Sequence, residues 1–214
     1  MTRKRSSSDG CARCVSLGFT PDRYPQGTHI CHLFAGAAER LRIGVAFAKG
    51  GLEDGERVEY FADTELGEPL RAAFLQMGLD VDAWHPPAAL MAHCAMDVYC
   101  PDGDFKAETM LGRLGEIEAT ARASKAAGTR VIGEMTWALR GASGGDQLIR
   151  YEAGINTFLQ TRPLTVLCQY DLSRFDGATI FEAIRVHPML VIRDRIVSNP
   201  FCNPALAPPD GDAS

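Results

Sequence analysis

A chain of 214 residues, 46% hydrophobic and 23% charged, is long enough to bury one ordinary core and is neither fibrous nor disordered in composition. A net charge of −5 supplies no basic field for direct nucleic-acid binding, and no apolar run approaches the roughly 20 residues that span a bilayer. The N-terminus lacks a signal-peptide core, so the expected compartment is the cytoplasm, where seven cysteines, an odd count, argue against a disulfide framework.

Residues 1–25 read as an irregular lead-in: a short basic start, then Gly10, Gly18, Pro21 and Pro25. Thr28 to Phe34 is a β-rich run that predicts a buried strand. From Ala37 to Gly50, Leu41, Val45 and Ala48 recur at helical spacing, with Gly50-Gly51 as the stop. Arg57 to Ala62 predicts a second strand, entered through Glu53-Asp54-Gly55, and Glu68 to Met77 a helix closed by Gly78. A third strand is expected within Ala88 to Tyr99. After the turn at Pro101-Asp102-Gly103-Asp104 comes a long helix, Ala107 to Ala127, ended by Gly128. Arg130 to Met135 reads as a strand, Gln147 to Leu159 as a helix, and Leu164 to Tyr170 as a near-continuous apolar strand of the buried parallel type. Thr179 to Val186 predicts a helix and Met189 to Ile196 a last strand; residues 204–214 form a Pro-rich tail expected to be disordered. Strands alternating with helices of ten or more residues argue an α/β fold, a three-layer sandwich around a mostly parallel sheet, with one domain over residues 26–203.

The first strand, loop and helix have the frame of a nucleotide-binding unit but not its residues. A P-loop needs G-x-x-x-x-G-K-[ST], because bare amides cradle the phosphates, Lys neutralises them and the hydroxyl holds magnesium. Here the loop offers Gly36, Ala37, Ala38, Glu39, Arg40 and Leu41, with an acid where phosphate would sit. Glu134 occupies the place where an ATPase keeps its magnesium-ordering acid, and Arg40 falls roughly where the Lys would be. ATP hydrolysis is therefore not expected, and no catalytic residue is assigned.

An ordered series of short motifs carries a resemblance. It runs through Gly27-Thr28-His29-Ile30-Cys31 with Phe34, Gly51-Leu52 with Gly55-Glu56, Tyr99 with Gly103-Asp104-Phe105, and Gly133-Glu134-Met135-Thr136-Trp137-Ala138. It continues through Tyr151-Glu152, Leu167-Cys168-Gln169-Tyr170-Asp171 with Phe175, His187-Pro188 and Asn199-Pro200-Phe201. Over about residues 26–203 the chain resembles the MEDS domain, a sensory domain of methanogen and methylotroph regulators of the dichloromethane-responsive repressor type. That family is similar to the RecA/KaiC-like ATPase core. The resemblance implies a non-catalytic module that senses a small organic ligand, a hydrocarbon derivative or one-carbon compound. Such modules are often joined to a helix-turn-helix, a histidine kinase or an anti-sigma kinase. This sequence shows no output domain, so signalling is expected through a regulatory protein partner or a homodimer.

In an open α/β sheet, ligands bind outside the carboxyl ends of the strands. Residues expected to reach that edge are His32, Phe34, Asp63, Tyr99, Cys100, Glu134, Met135, Trp137, Gln169, Tyr170 and Asp171, and those expected to line a ligand are His32, Phe34, Tyr99, Glu134, Trp137, Cys168, Tyr170, Asp171 and His187. Trp137 is the favoured wall, for its apolar area and single donor; the competing reading is a packed sheet edge satisfied within itself. The cysteines open a second possibility, a metal- or thiol-redox-responsive regulator. Cys11-x-x-Cys14 followed by His29-x-Cys31 makes a candidate zinc set, with Cys31 and Cys168 on neighbouring strands and His32 and His187 as possible companions. Against it stand an inert CxxC tail and buried cysteines that merely fill space. A third possibility is an anti-sigma-type interaction module.

Overall fold

The computed structural model describes residues 13–63, 68–85 and 88–203. A small hairpin, β1 (Cys14–Ser16) and β2 (Arg23–Pro25), precedes β3 (His29–Phe34), α1 (Ala37–Glu53), β4 (Arg57–Ala62), α2 (Glu68–Gln76) and β5 (Leu90–Cys94). There follow α3 (Ala95–Tyr99), α4 (Ala107–Ala123), β6 (Thr129–Glu134), α5 (Leu148–Leu159), β7 (Leu164–Asp171), α6 (Gly177–Val186), β8 (Met189–Ile192) and β9 (Arg195–Ser198). Seven strands form one sheet in the order β5-β4-β6-β7-β3-β8-β9, parallel except for the β8–β9 pair. The expected three-layer α/β architecture with a mostly parallel sheet is what the chain adopts.

Burial on both faces explains the composition of the strands. Every residue of β3 and β6 is buried, as are all but the last of β7, so apolar residues fall on both faces of these strands instead of alternating with exposed polar ones. Successive side chains still alternate in direction. Cys31, Leu33, Val166, Cys168 and Tyr170 pack with α3, α4, α5 and α6. Ile30, Tyr60, Ile132 and Leu167 face the other way, against α1 and α2. The β3–β7 register sets Cys31 beside Cys168 and His32 beside Gln169.

Three segments depart from the sequence reading. The strand expected within Ala88 to Tyr99 ends at Cys94, and Ala95, Val98 and Tyr99 then bury together at helical spacing as α3. The strand expected over Met189 to Ile196 is two strands, folded back at Arg193-Asp194 with Arg193 at a φ of 61°. The lead-in is not wholly irregular, since its hairpin packs Leu17 into the α1 side of the core. Among the described residues, no helix is long and apolar enough to cross a membrane.

Candidate functional site

At the carboxyl edge of β4, β6 and β7, where a nucleotide hydrolase holds its phosphates, the structure builds a closed polar network. Arg40, in the second turn of α1, is buried and ion-paired through Nη1 to Glu134 Oε1. The same carboxylate accepts hydrogen bonds from the Tyr60 hydroxyl (3.1 Å) and the Asp63 backbone N–H (2.9 Å). Gln169 donates to the Arg40 carbonyl and to His32 Nδ1, each at 3.0 Å, which puts the His32 ring proton on Nε2. Burial, with Arg42 nearby, lowers the His32 pKa to about 3, so the ring is neutral. Asp63 accepts from Thr136 Oγ1 (2.8 Å) and pairs with Arg140 Nε (2.9 Å). Glu39 turns back to accept the Ala35 N–H at 3.0 Å, so the loop before α1 is held by its own acid.

On the other face of the sheet, four elements bring a second cluster together. His29 opens β3, Glu152 lies on α5, Cys168 on β7, and His187 follows α6; all four are at most 1% exposed. Glu152 is on the inward stripe of α5 with Leu148, Tyr151, Ile155 and Leu159, so the helix must carry the carboxylate into the core. Glu152 Oε2 stands 3.2 Å from His29 Nε2, 3.4 Å from His187 Nε2 and 3.3 Å from Cys168 Sγ, and Cys168 Sγ is 3.5 Å from His29 Nε2. The outer atoms are held as firmly. Tyr170 donates its hydroxyl to Glu152 Oε1 at 2.6 Å, and His187 Nδ1 donates to the Ala183 carbonyl at 2.7 Å. Asn156 gives its amide N–H to the Val186 carbonyl at 2.7 Å, which turns its oxygen to His29 Nδ1 at 3.2 Å. Burial outweighs the neighbouring carboxylate and lowers the His29 pKa to about 4. Protonated, the His187 and His29 imidazoles hold Glu152 well below the usual carboxylate range despite its own burial, and burial pushes the Cys168 thiol up.

The expected ligand residues therefore divide. Cys168, Tyr170 and His187 meet in one cluster, joined by Glu152, while His32 and Glu134 belong to the network on the opposite face. Phe34 is buried at the end of β3, its ring 5.6 Å from that of His32. Asp171 caps the turn after β7 by accepting the Ser173 N–H and hydroxyl. Trp137 and Tyr99 stack at 4.7 Å with 13° between their planes, with Phe105 and Tyr151 against them. Trp137 is fully buried and Tyr99 nearly so, which makes them core filling in this structure rather than the wall of a hollow. The zinc set read from sequence also needs correction. Cys11 lies outside the described residues, Cys14 is exposed on the hairpin beside α1, and His29 turns its ring to the α5 side. Cys31 shares that face but is not among the four converging donors.

Glu152 and Asn156 are the functional candidates that residue chemistry alone did not single out. The available signal was an acid placed on the apolar stripe of a helix, four residues before an Asn on the same face. A recess of about 230 Å³ lies beside β4 and α4, lined by Phe61, Val98 and Ile117 together with Arg57, Glu59 and His93. Glu59 binds Arg57 Nε at 2.6 Å and His93 Nε2 at 2.7 Å, so these three polar groups of the lining are paired among themselves.

Comparisons with known proteins agree with this architecture. Residues 28–188 match the family described as MEDS, the MEthanogen/methylotroph, DcmR Sensory domain. The chain is 28% identical over 160 residues to the transcriptional repressor DcmR of Methylorubrum extorquens, covering 74% of this chain and 57% of the repressor. It thus spans a little over half of that relative's length. Among solved structures, a KaiC-like protein of the hyperthermophilic archaeon Pyrococcus horikoshii superposes with a TM-score of 0.57 at 17% identity, over 84% of this chain and 79% of the other.

Proposed function

The chain belongs to the MEDS family of sensory domains, and on that premise we propose that it binds a small organic effector, a hydrocarbon derivative or one-carbon compound, without hydrolysing nucleotide. One observation carries the second half of this reading: the Arg40–Glu134 pair occupies the phosphate and magnesium place with charges of its own. A triphosphate would have to break a buried ion pair and would find neither Lys nor Ser/Thr to replace it. The effector reading is supported by the family and by the recess at Phe61, Val98 and Ile117, whose size suits a molecule of a few heavy atoms. Occupancy there presses on β4, β5 and α4, and the change is passed to a protein partner or a second copy of the chain. The repressor it resembles acts on transcription, and this chain serves the same kind of regulatory circuit.

Thermal-shift screening against short halocarbons, alcohols and methylated amines tests the proposal. A concentration-dependent rise in melting temperature that Val98→Phe abolishes, while the variant stays folded, is the expected result. Absence of any shift across the panel with an intact fold, or magnesium-dependent release of phosphate from ATP, would overturn it.

A further inference from the structure

The geometry points to a structural zinc site formed by His29 Nε2, Glu152 Oε2, Cys168 Sγ and His187 Nε2. These four atoms lie within 4.8 Å of one another. Zinc binds N and O ligands at about 2.0–2.1 Å and thiolate at about 2.3 Å, so the edges of its tetrahedron measure roughly 3.3–3.7 Å. Four of the six edges, at 3.2, 3.3, 3.4 and 3.5 Å, lie close to that length, and all six are within 4.8 Å. The two N···O separations, 3.2 and 3.4 Å, are longer than the roughly 2.9 Å of an N–H···O hydrogen bond, whereas the two sulfur separations suit a thiol hydrogen bond and a shared ion alike.

The outer partners give the second argument. His187 Nδ1 faces a backbone carbonyl, which only accepts, and His29 Nδ1 faces an amide oxygen fixed by the other bonds of Asn156. Both rings therefore carry a proton on Nδ1 and, as neutral imidazoles, turn the Nε2 lone pair inward. Tyr170 spends its proton on Glu152 Oε1 and leaves Oε2 inward as well. Three inward acceptors and a thiol share the single thiol proton, and His187 Nε2, fully buried, makes no hydrogen bond among the described residues. A divalent cation is the group that such a set fits. Each imidazole has a fixed outer acceptor and the carboxylate a fixed donor, which is the outer shell that orients metal ligands.

Binding is balanced in charge and protons. Zinc displaces the Cys168 thiol proton to solvent, a zinc–sulfur bond replaces the S–H bond, and the thiolate and carboxylate neutralise the ion. Two imidazoles, a thiolate and a carboxylate suit zinc, and four protein donors leave no open position, so the site is structural rather than catalytic.

The test uses the full chain without a histidine tag, purified from zinc-supplemented medium without chelators. Mass-spectrometric metal analysis should find close to stoichiometric zinc, and refolding with cobalt(II) should give a thiolate-to-cobalt charge-transfer band with strong tetrahedral d–d bands. Cys168→Ser should lose the charge-transfer band, Cys31→Ser should keep it, and Tyr170→Phe, which retains all four donors, should weaken metal affinity by roughly 10–100-fold. Zinc below half an equivalent in folded wild-type protein overturns the proposal, as does a cobalt spectrum that Cys168→Ser leaves unchanged. If Cys168→Ser fails to fold, the wild-type metal content and cobalt spectrum decide alone. The effector screen is read separately, so loss of the zinc site leaves the sensory reading standing, and the reverse.

Discussion

Replacing Arg40 by Met asks whether the buried ion pair holds the carboxyl edge of the sheet together. The Arg40 and Glu134 side chains are only 4% and 2% exposed, so the substitution strips a desolvated carboxylate of its paired charge while keeping most of the side-chain volume. Removing one partner of a buried pair costs about 3–5 kcal/mol. That is a large part of the roughly 5–15 kcal/mol that keeps a domain folded. Taking a urea m-value of about 2–3 kcal/mol/M for a chain of this size, the unfolding midpoint should fall by roughly 1–2.5 M. In Glu134→Gln the single amide oxygen can accept the Asp63 N–H, while the amide nitrogen donates to the Tyr60 oxygen, whose own proton turns to Gln169 Oε1. Adding Glu134→Gln to Arg40→Met should therefore recover at least half of the loss, because the stranded charge is gone. Denaturation followed by far-UV circular dichroism on wild type, both single variants and the double variant gives the whole cycle. A single-variant loss below about 1 kcal/mol, or a double variant no more stable than Arg40→Met, would refute the reasoning.

Two further outcomes follow from the structure. His32 has its pKa lowered from 6.5 to about 3, so between those values the unfolded chain binds the proton and the native state does not. Its contribution is complete above pH 6.5 and is lost as pH falls through that window, at up to about 1.4 kcal/mol per pH unit. His32→Gln should flatten the fall in urea midpoint on acidification, and an unchanged slope would sink the assignment. Gly141 and Gly144 have φ of 75° and 79°, but only at Gly144 would a Cβ meet the Phe105 carbonyl. Gly141→Ala should cost about 1–2 kcal/mol from backbone conformation alone and Gly144→Ala measurably more, so equal melting temperatures would contradict the packing described.

The alternation of strands and helices was legible because parallel strands covered on both faces become apolar runs, such as Leu164 to Tyr170, that periodicity detects. The β8–β9 hairpin was hidden for the opposite reason. Its turn, Arg193-Asp194, carries neither Gly nor Asn and interrupts an otherwise strand-like stretch. The failed phosphate grip was visible in Gly36 to Leu41, but that Arg40 would close on Glu134 required the positions of α1 and β6 in space. His29, Cys168 and His187 drew notice by chemistry. Glu152 did not, since a helix glutamate is ordinarily solvated, and its role depends on packing from four separate elements. Trp137 shows the limit from the other side. A large indole at a sheet edge suggested a binding wall, and the aromatic rings of Tyr99, Phe105 and Tyr151 had already enclosed it.

The cluster around Glu152 also bears on how the molecule is made. Its members run from residue 29 to residue 187, so it closes only after the segment from β3 through α6 has been made. Contacts of such sequence separation form late and slowly. Until His187 arrives, a nascent or truncated chain has to keep Glu152 out of the interior or protonated, and α5 cannot seat fully against the sheet. α6 and the turn after it thereby supply the member that completes the cluster.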